Sequence, residues 1–299
     1  MRSSLERAVR AAQAKFGRLG ASYPIYLNPP PGVEVVPQAE LLDLANLSRY
    51  FERSIREWTD HPEDEDIRAA ASRFLRRFCG SVAAAALVPL ANGVAVDVSI
   101  PRVSLLIRRD MTLGTVLNLD GAEVYTSAGR ETTWPVDGRT LPTATELRRR
   151  AFESLFAENL VPSFERVLQA VHVSPRLLWT TAAESIELMY EYGRVYFDED
   201  SWKPLEEDRL AVHFDAMLPG VAGQNPMLGL LDWEQFDDPL LPGRYQVRRI
   251  CCVNYVIPGR KPSYCRTCGL LSAAERWELW RRYVVANQQA IVCPWPPLG

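Results

Sequence analysis

Four of the six cysteines in this 299-residue chain fall within 18 consecutive positions: Cys251, Cys252, Cys265 and Cys268. The pattern is Cys-Cys, a spacer of twelve residues, then Cys-Arg-Thr-Cys. A two-residue gap between cysteines lets both sulfurs face one centre, as in metal-binding knuckles. Four thiolates complete either a tetrahedral zinc site or an iron–sulfur cluster. The vicinal pair separates these outcomes. Successive side chains of an extended chain point to opposite faces, which is awkward around one zinc ion, and zinc modules favour paired CxxC spacing. A binuclear cluster presents two irons and accommodates adjacent thiolates in more ways. Spacing favours iron–sulfur over zinc and leaves open whether Cys251 and Cys252 share an iron.

The charge around these cysteines is one-sided. Leu241 to Ser272 carries Arg244, Arg248, Arg249, Arg260, Lys261 and Arg266 and no Asp or Glu, in a chain of formal net charge −3. A four-thiolate cluster is anionic and gains negative charge on reduction, so neighbouring cations favour the reduced form. The same cations suit an anionic substrate. An ordinary basic loop facing carboxylates is the plainer alternative.

The elements that must position this segment are read from periodicity. Leu5, Ala8, Val9, Ala12 and Phe16 recur at helical spacing. They predict an amphipathic helix, docked on its own domain or lying on an anionic membrane surface. Tyr23 to Gln38 is Pro-rich and reads as an extended connector. Helical patterns follow over about 40–58 and 64–86, separated by Asp60-His61-Pro62 and the acidic run Glu63–Asp66, which reads as a solvated first turn. From Gly93 to Val136, alternating and β-branched segments predict a small antiparallel meander. Helical periodicity returns over 145–173 and 175–192, and Asp198 to Asp208 reads as a polar loop. Arg148-Arg149-Arg150 is either an anion patch or a solvated helix face. The sum is an α+β fold, mainly helical. An N-terminal α+β domain is expected over 1–142 and a helical C-terminal domain with the cysteine loop over 143–299.

Composition narrows the function further. Hydrophobic residues make up 47% and charged residues 24%, which excludes disorder and a disulfide scaffold. The acidic balance argues against a nucleic-acid partner. The three histidines, His61, His172 and His213, are scattered, so a histidine-rich metal centre is not expected. No GxGxxG turn, P-loop, GxSxG elbow or HExxH helix is present. The first 20 residues lack a signal-peptide core, and Val82 to Val96 is too interrupted to span a bilayer. A cytoplasmic location follows as an expectation, and the N-terminal helix also allows association with the inner face of the membrane. Cys79 reads as a buried thiol and Cys293 as part of a packed tail. Trp179 and Trp233 are candidates for a substrate surface or for the core.

Arg249-Ile-Cys-Cys252, Tyr255, Pro258-Gly259 and Tyr264-Cys-Arg-Thr-Cys268 resemble the C-terminal signature of the FhuF-like ferric siderophore reductases. The motif covers about 20 residues near the chain end, and its spacer of twelve departs from the ten usual in that family. The resemblance implies that Cys251, Cys252, Cys265 and Cys268 ligate a [2Fe–2S] cluster. It implies one-electron reduction of siderophore-bound Fe(III), with a ferric siderophore and an external reductase or ferredoxin as partners. Arg248, Arg249, Arg260, Lys261 and Arg266 are candidates for holding the substrate or tuning the cluster. Ser272 and Glu275 form a predicted capping box opening a helix to about Val285. Two alternatives stay open: a zinc-stabilised binding or assembly protein, and a siderophore-binding or biosynthetic relative with a structural cluster.

Overall fold

The longest apolar helical pattern becomes the axis of the molecule. Ala-rich sequence of high helix propensity runs from Ile67 to Ala91, and residues 69–90 are buried almost without interruption. A helix apolar on every side belongs inside a core. Its length and composition would also suit a membrane span, yet 83% of its apolar window is buried inside this fold. Asp66, the last residue of the acidic run, caps it by accepting from the Arg68 amide at 2.8 Å.

The computed structural model describes residues 2–14, 22–58, 63, 66–107, 113–120, 123–128, 130, 132, 134, 138–196, 199–241, 243–253 and 264–287. In chain order the elements begin with α1 (Arg2–Ala14), β1 (Ile25–Tyr26), β2 (Glu34–Pro37), α2 (Gln38–Leu41), α3 (Leu44–Trp58) and α4 (Ile67–Ala91). Next come β3 (Ala95–Val96), β4 (Val103–Ile107), β5 (Leu113–Leu117), β6 (Val124–Ser127) and β7 (Arg139–Leu141). The rest is α5 (Ala144–Leu155), α6 (Val161–Ala170), α7 (Pro175–Tyr196), α8 (Glu199–Phe214), β8 (Leu231–Gln235), β9 (Arg244–Arg248) and α9 (Ala273–Asn287). A π-helical turn, Phe156–Leu160, joins α5 to α6.

The α+β reading holds, with small sheets in the N-terminal half and helices beyond. Three local expectations are corrected. The strands do not form one antiparallel meander. They split into a four-stranded sheet ordered β1-β5-β4-β2 and a three-stranded sheet ordered β3-β6-β7, and β1–β5 and β6–β7 run parallel. The Pro-rich connector supplies two of these strands, because β2 places Pro37 at a strand end, where a missing amide costs little. The polar loop over 198–208 is helical: α8 begins at Glu199, with Leu205 and Val212 buried. Asp208, Arg209 and His213 face inward to partners, whereas Lys203 and Glu207 stay exposed, so polarity misled.

One buried apolar cluster runs from Val9 on α1 through α4, α5 and α7 to Cys252. Leu5, Ala8, Val9 and Ala12 on α1 all contribute to it or pack against it, whereas Phe16 lies outside the described residues. Gly80 on α4 seats the Tyr23 ring, since a Cβ there would sit 2.4 Å from it and force the ring to move. A smaller aromatic cluster of Leu241, Tyr245, Trp280 and Val284 joins β9 to α9. Cys252 belongs to the first cluster, and Ile250 and Cys265 pack against it.

Candidate metal centre

Strand β9 delivers the first two cysteines. It pairs antiparallel with β8 from Gln235↔Arg244 to Leu231↔Arg248, and the chain then continues through Arg249 and Ile250 to Cys251. The second pair is brought alongside by backbone bonding, with the Arg248 amide donating to the Thr267 carbonyl at 2.8 Å. Within the knuckle the Cys268 amide donates to the Cys265 carbonyl at 2.9 Å. The crossing is tight: a Cβ on Gly269 would lie 2.1 Å from the Arg248 carbonyl oxygen, so only glycine passes there.

This crossing sets Cys252 Sγ 3.6 Å from Cys265 Sγ. The distance is far beyond a disulfide bond of about 2.05 Å. It is close to the edge of about 3.8 Å between two sulfurs on one tetrahedral metal with bonds of about 2.3 Å. Cys251 contacts the Cys252 thiol and lies within reach of the charge of Cys268. Cys252 and Cys268 are buried, and Cys251 and Cys265 are partly so. Among the described residues, no group of three or more His, Cys, Asp or Glu side chains already stands in a metal-holding arrangement. The donor chemistry still fits a thiolate centre, with one free sulfur from each pair meeting on adjoining segments. Hydrogen bonding to Cys252, together with burial, pushes the Cys251 and Cys265 thiols above their ordinary range, so a metal would have to displace protons.

Val253 carries a further signal. It has φ +51°, a left-handed conformation costly for a β-branched residue, and its amide donates to Cys251 Sγ at 3.3 Å. Amide donation to a ligand sulfur is one of the levers that raise a cluster's potential.

Around the sulfurs lies a charged layer that sequence reasoning missed. Glu184 on α7 is 1% exposed. It accepts from Thr267 Oγ1 at 2.8 Å and from Arg248 Nη1 at 2.9 Å, and Arg76 Nη2 on α4 lies 3.5 Å away. Burial would raise the Glu184 carboxyl, but Arg248, Arg76 and the Thr267 hydroxyl outweigh it and hold the group below the usual carboxylate range. One turn along, Glu187 meets Arg209 at 2.8 Å and His213 at 3.0 Å. Glu191 behaves oppositely: burial and the nearby Glu187 push its carboxyl well above the usual range. Arg276 on α9 closes the other side, donating to the Cys268 carbonyl at 3.0 Å and to Glu234 at 2.7 Å. The one available signal was three glutamates at i, i+3 and i+7 inside the apolar pattern of α7, since buried acids require partners.

The five cationic candidates separate. Arg248 is buried and committed to Glu184 and Thr181, which removes it from direct contact with any substrate. Arg249 is half exposed and ion-paired with Asp232. Arg266 stacks over Trp280 and Tyr283, with its guanidinium carbon 4.6 and 3.4 Å from the ring centroids. Arg260 and Lys261 lie outside the described residues, as do Tyr255, Pro258, Gly259, His61 and Cys293. Cys79 is buried in α4, where burial pushes its thiol up, as befits an inert core cysteine. The Arg148–Arg150 run is no bare anion patch: its members meet Asp208 at 3.7 Å, Glu153 at 3.2 Å and Glu158 at 2.7 Å.

Beside the β8–β9 ribbon opens a cavity of about 540 Å³, lined by His213, Phe214, Met227, Asp232, Trp233 and Arg244 among others. Its wall reaches the cysteine arm through Asp232, the partner of Arg249. Trp233 thus faces a cavity, whereas Trp179 packs edge-on against Phe164. No protein-family model matches this chain, and no curated protein matches it.

Proposed function

We propose that the chain is a cytoplasmic ferric siderophore reductase in which Cys251, Cys252, Cys265 and Cys268 hold a [2Fe–2S] cluster. The observation that carries this reading is the 3.6 Å approach of Cys252 and Cys265 from two separate segments. Bound there, such a cluster supplies reversible one-electron transfer.

The chain's own residues do the rest. The Val253 amide and Arg76 stabilise negative charge at the sulfurs, while Gly269 and the Arg248–Thr267 backbone bond keep the two segments in register. The cavity beside Arg249 has the size of a small-molecule site and a mixed polar and aromatic wall, and it receives the ferric chelate. An external reductase or ferredoxin provides the electron, and the chelated Fe(III) becomes Fe(II). Siderophore oxygens hold hard Fe(III) far more strongly than Fe(II), so the metal leaves without any bond of the chelator being cut. Outer-sphere transfer needs no general acid, base or nucleophile.

A zinc-clamped binding or assembly protein is the second reading, because the same 3.6 Å pair suits a tetrahedral zinc ion. Anaerobic purification decides between them. The reductase reading expects a brown protein with about two irons and two labile sulfides per chain, bleaching on reduction and giving an EPR signal. Stoichiometric zinc without sulfide overturns it. Single-turnover mixing of reduced protein with a ferric siderophore, followed by Fe(II) trapping, then separates a reductase from a relative with a structural cluster: an unchanged cluster spectrum sinks the activity.

A further inference from the structure

Glu184 touches both arms of the cysteine site. Thr267 lies between Cys265 and Cys268, and Arg248 lies three positions before Cys251. Oε1 of Glu184 accepts from Thr267 and faces Arg76, while Oε2 accepts from Arg248. Both carboxylate oxygens are therefore engaged by the segments that carry sulfurs, and the carboxylate itself is closed to water. Removing one member of a buried pair leaves its partner charge uncompensated, so this arrangement resists loosening. It is also an unexpected place for an anion. A negative charge beside prospective thiolates opposes the arrival of a further electron, and Arg76 acts in the opposite sense.

We propose that Glu184 is the positioning residue of the cysteine site, clamping its two segments together and lowering the readiness of the bound centre to accept an electron. The inference rests on the metal-centre reading above. Glu184→Gln keeps the shape and one acceptor oxygen but removes the charge, leaving Arg76 and Arg248 unopposed. At a fixed applied potential, EPR of the loaded variant should show the reduced-to-oxidised ratio raised at least tenfold, equivalent to about 59 mV for one electron. Glu184→Asp, which retains the charge, should shift the ratio less than tenfold. Equal shifts in the two variants, or none in Glu184→Gln, overturn the electrostatic role.

The clamp is tested on the full chain after chelation, independently of any cluster. Thr267→Val removes one hydrogen bond without stranding a charge, so it also serves if Glu184→Gln fails to fold. Alkylation read by mass spectrometry should be at least tenfold faster at Cys265 and Cys268 in Thr267→Val than in the parent chain, and parental rates overturn the clamp. Arg76→Gln, at a half-exposed position, should move the reduced-to-oxidised ratio the opposite way. A parent chain isolated with zinc refutes the cluster reading and the electrostatic half of the proposal, while the alkylation rates still decide the clamp.

Discussion

Helix α4 and the cysteine segments are held by different forces. Along α4, Phe74, Phe78, Val82 and Leu90 are buried among other apolar side chains, with Phe74 and Phe78 stacked at 5.7 Å. Non-directional burial holds that region. Around Cys251–Val253 and Tyr264–Cys268 the restraints are directional instead: a backbone bond from Arg248, a carboxylate shared by Thr267 and Arg248, and the Arg276 guanidinium on the Cys268 carbonyl. The aromatic cluster behind them is small. On the metal-centre reading, a bound metal adds a further directional restraint to these segments, so folding and metal binding are coupled there and not in α4.

The largest expected effect breaks that comparison directly. Cys252→Ser or Cys265→Ser should abolish nearly all metal loading, measured by iron or zinc analysis, while amide exchange along α4 stays slow. Chelation of the parent chain should likewise speed exchange over 264–268 and spare α4. Equal loss of protection in both regions would show that they form one unit.

Phe78→Ala attacks the other side. A fully buried phenylalanine truncated in an aliphatic core should cost about 3–5 kcal/mol in urea denaturation, with metal content per folded molecule unchanged.

A smaller effect of opposite sign is expected at Glu191. Its folded pKa is raised, whereas the unfolded carboxyl titrates near about 4.3. As pH rises past that value the unfolded chain loses its proton and the folded chain keeps it, so the parent loses stability with rising pH until the buried group also ionises. Glu191→Gln removes that loss. Its advantage should be absent at about pH 4 and present at about pH 7, and a pH-independent difference would contradict the assignment.

The smallest expected effect sharpens the boundary between knuckle and helix. Ser272 and Glu275 form a reciprocal capping box, with the Ser272 amide 2.7 Å from Glu275 Oε2 and the Glu275 amide 3.3 Å from Ser272 Oγ. Ser272→Ala should cost about 1 kcal/mol of stability, read from thermal melts, without changing metal loading.

What was legible in the chain was local. The capping box of α9, the core position of Cys79 and the long helical stretch around 145–173 follow from spacing that acts within a few residues. Helix α8 was not legible, because its polar residues meet partners the local sequence does not contain: Asp208 pairs with Arg130 at 2.9 Å and Arg209 with Glu187 at 2.8 Å. The parallel β1–β5 and β6–β7 pairings were hidden for a similar reason, since strand direction depends on connections beyond the strands themselves.

By itself, the sequence determined which four thiols and which cations lie close together along the chain, because residue identity and short spacing fix which atoms are available. Only the tertiary structure decided which cations remain near the surface and which are neutralised inside. Arg248 meets Glu184 across 64 positions, and Thr267 meets the same carboxylate across 83. Partners that far apart are brought together by the packing of α4, α7 and β9, and a buried charge is defined by its partner rather than by its neighbours in the chain.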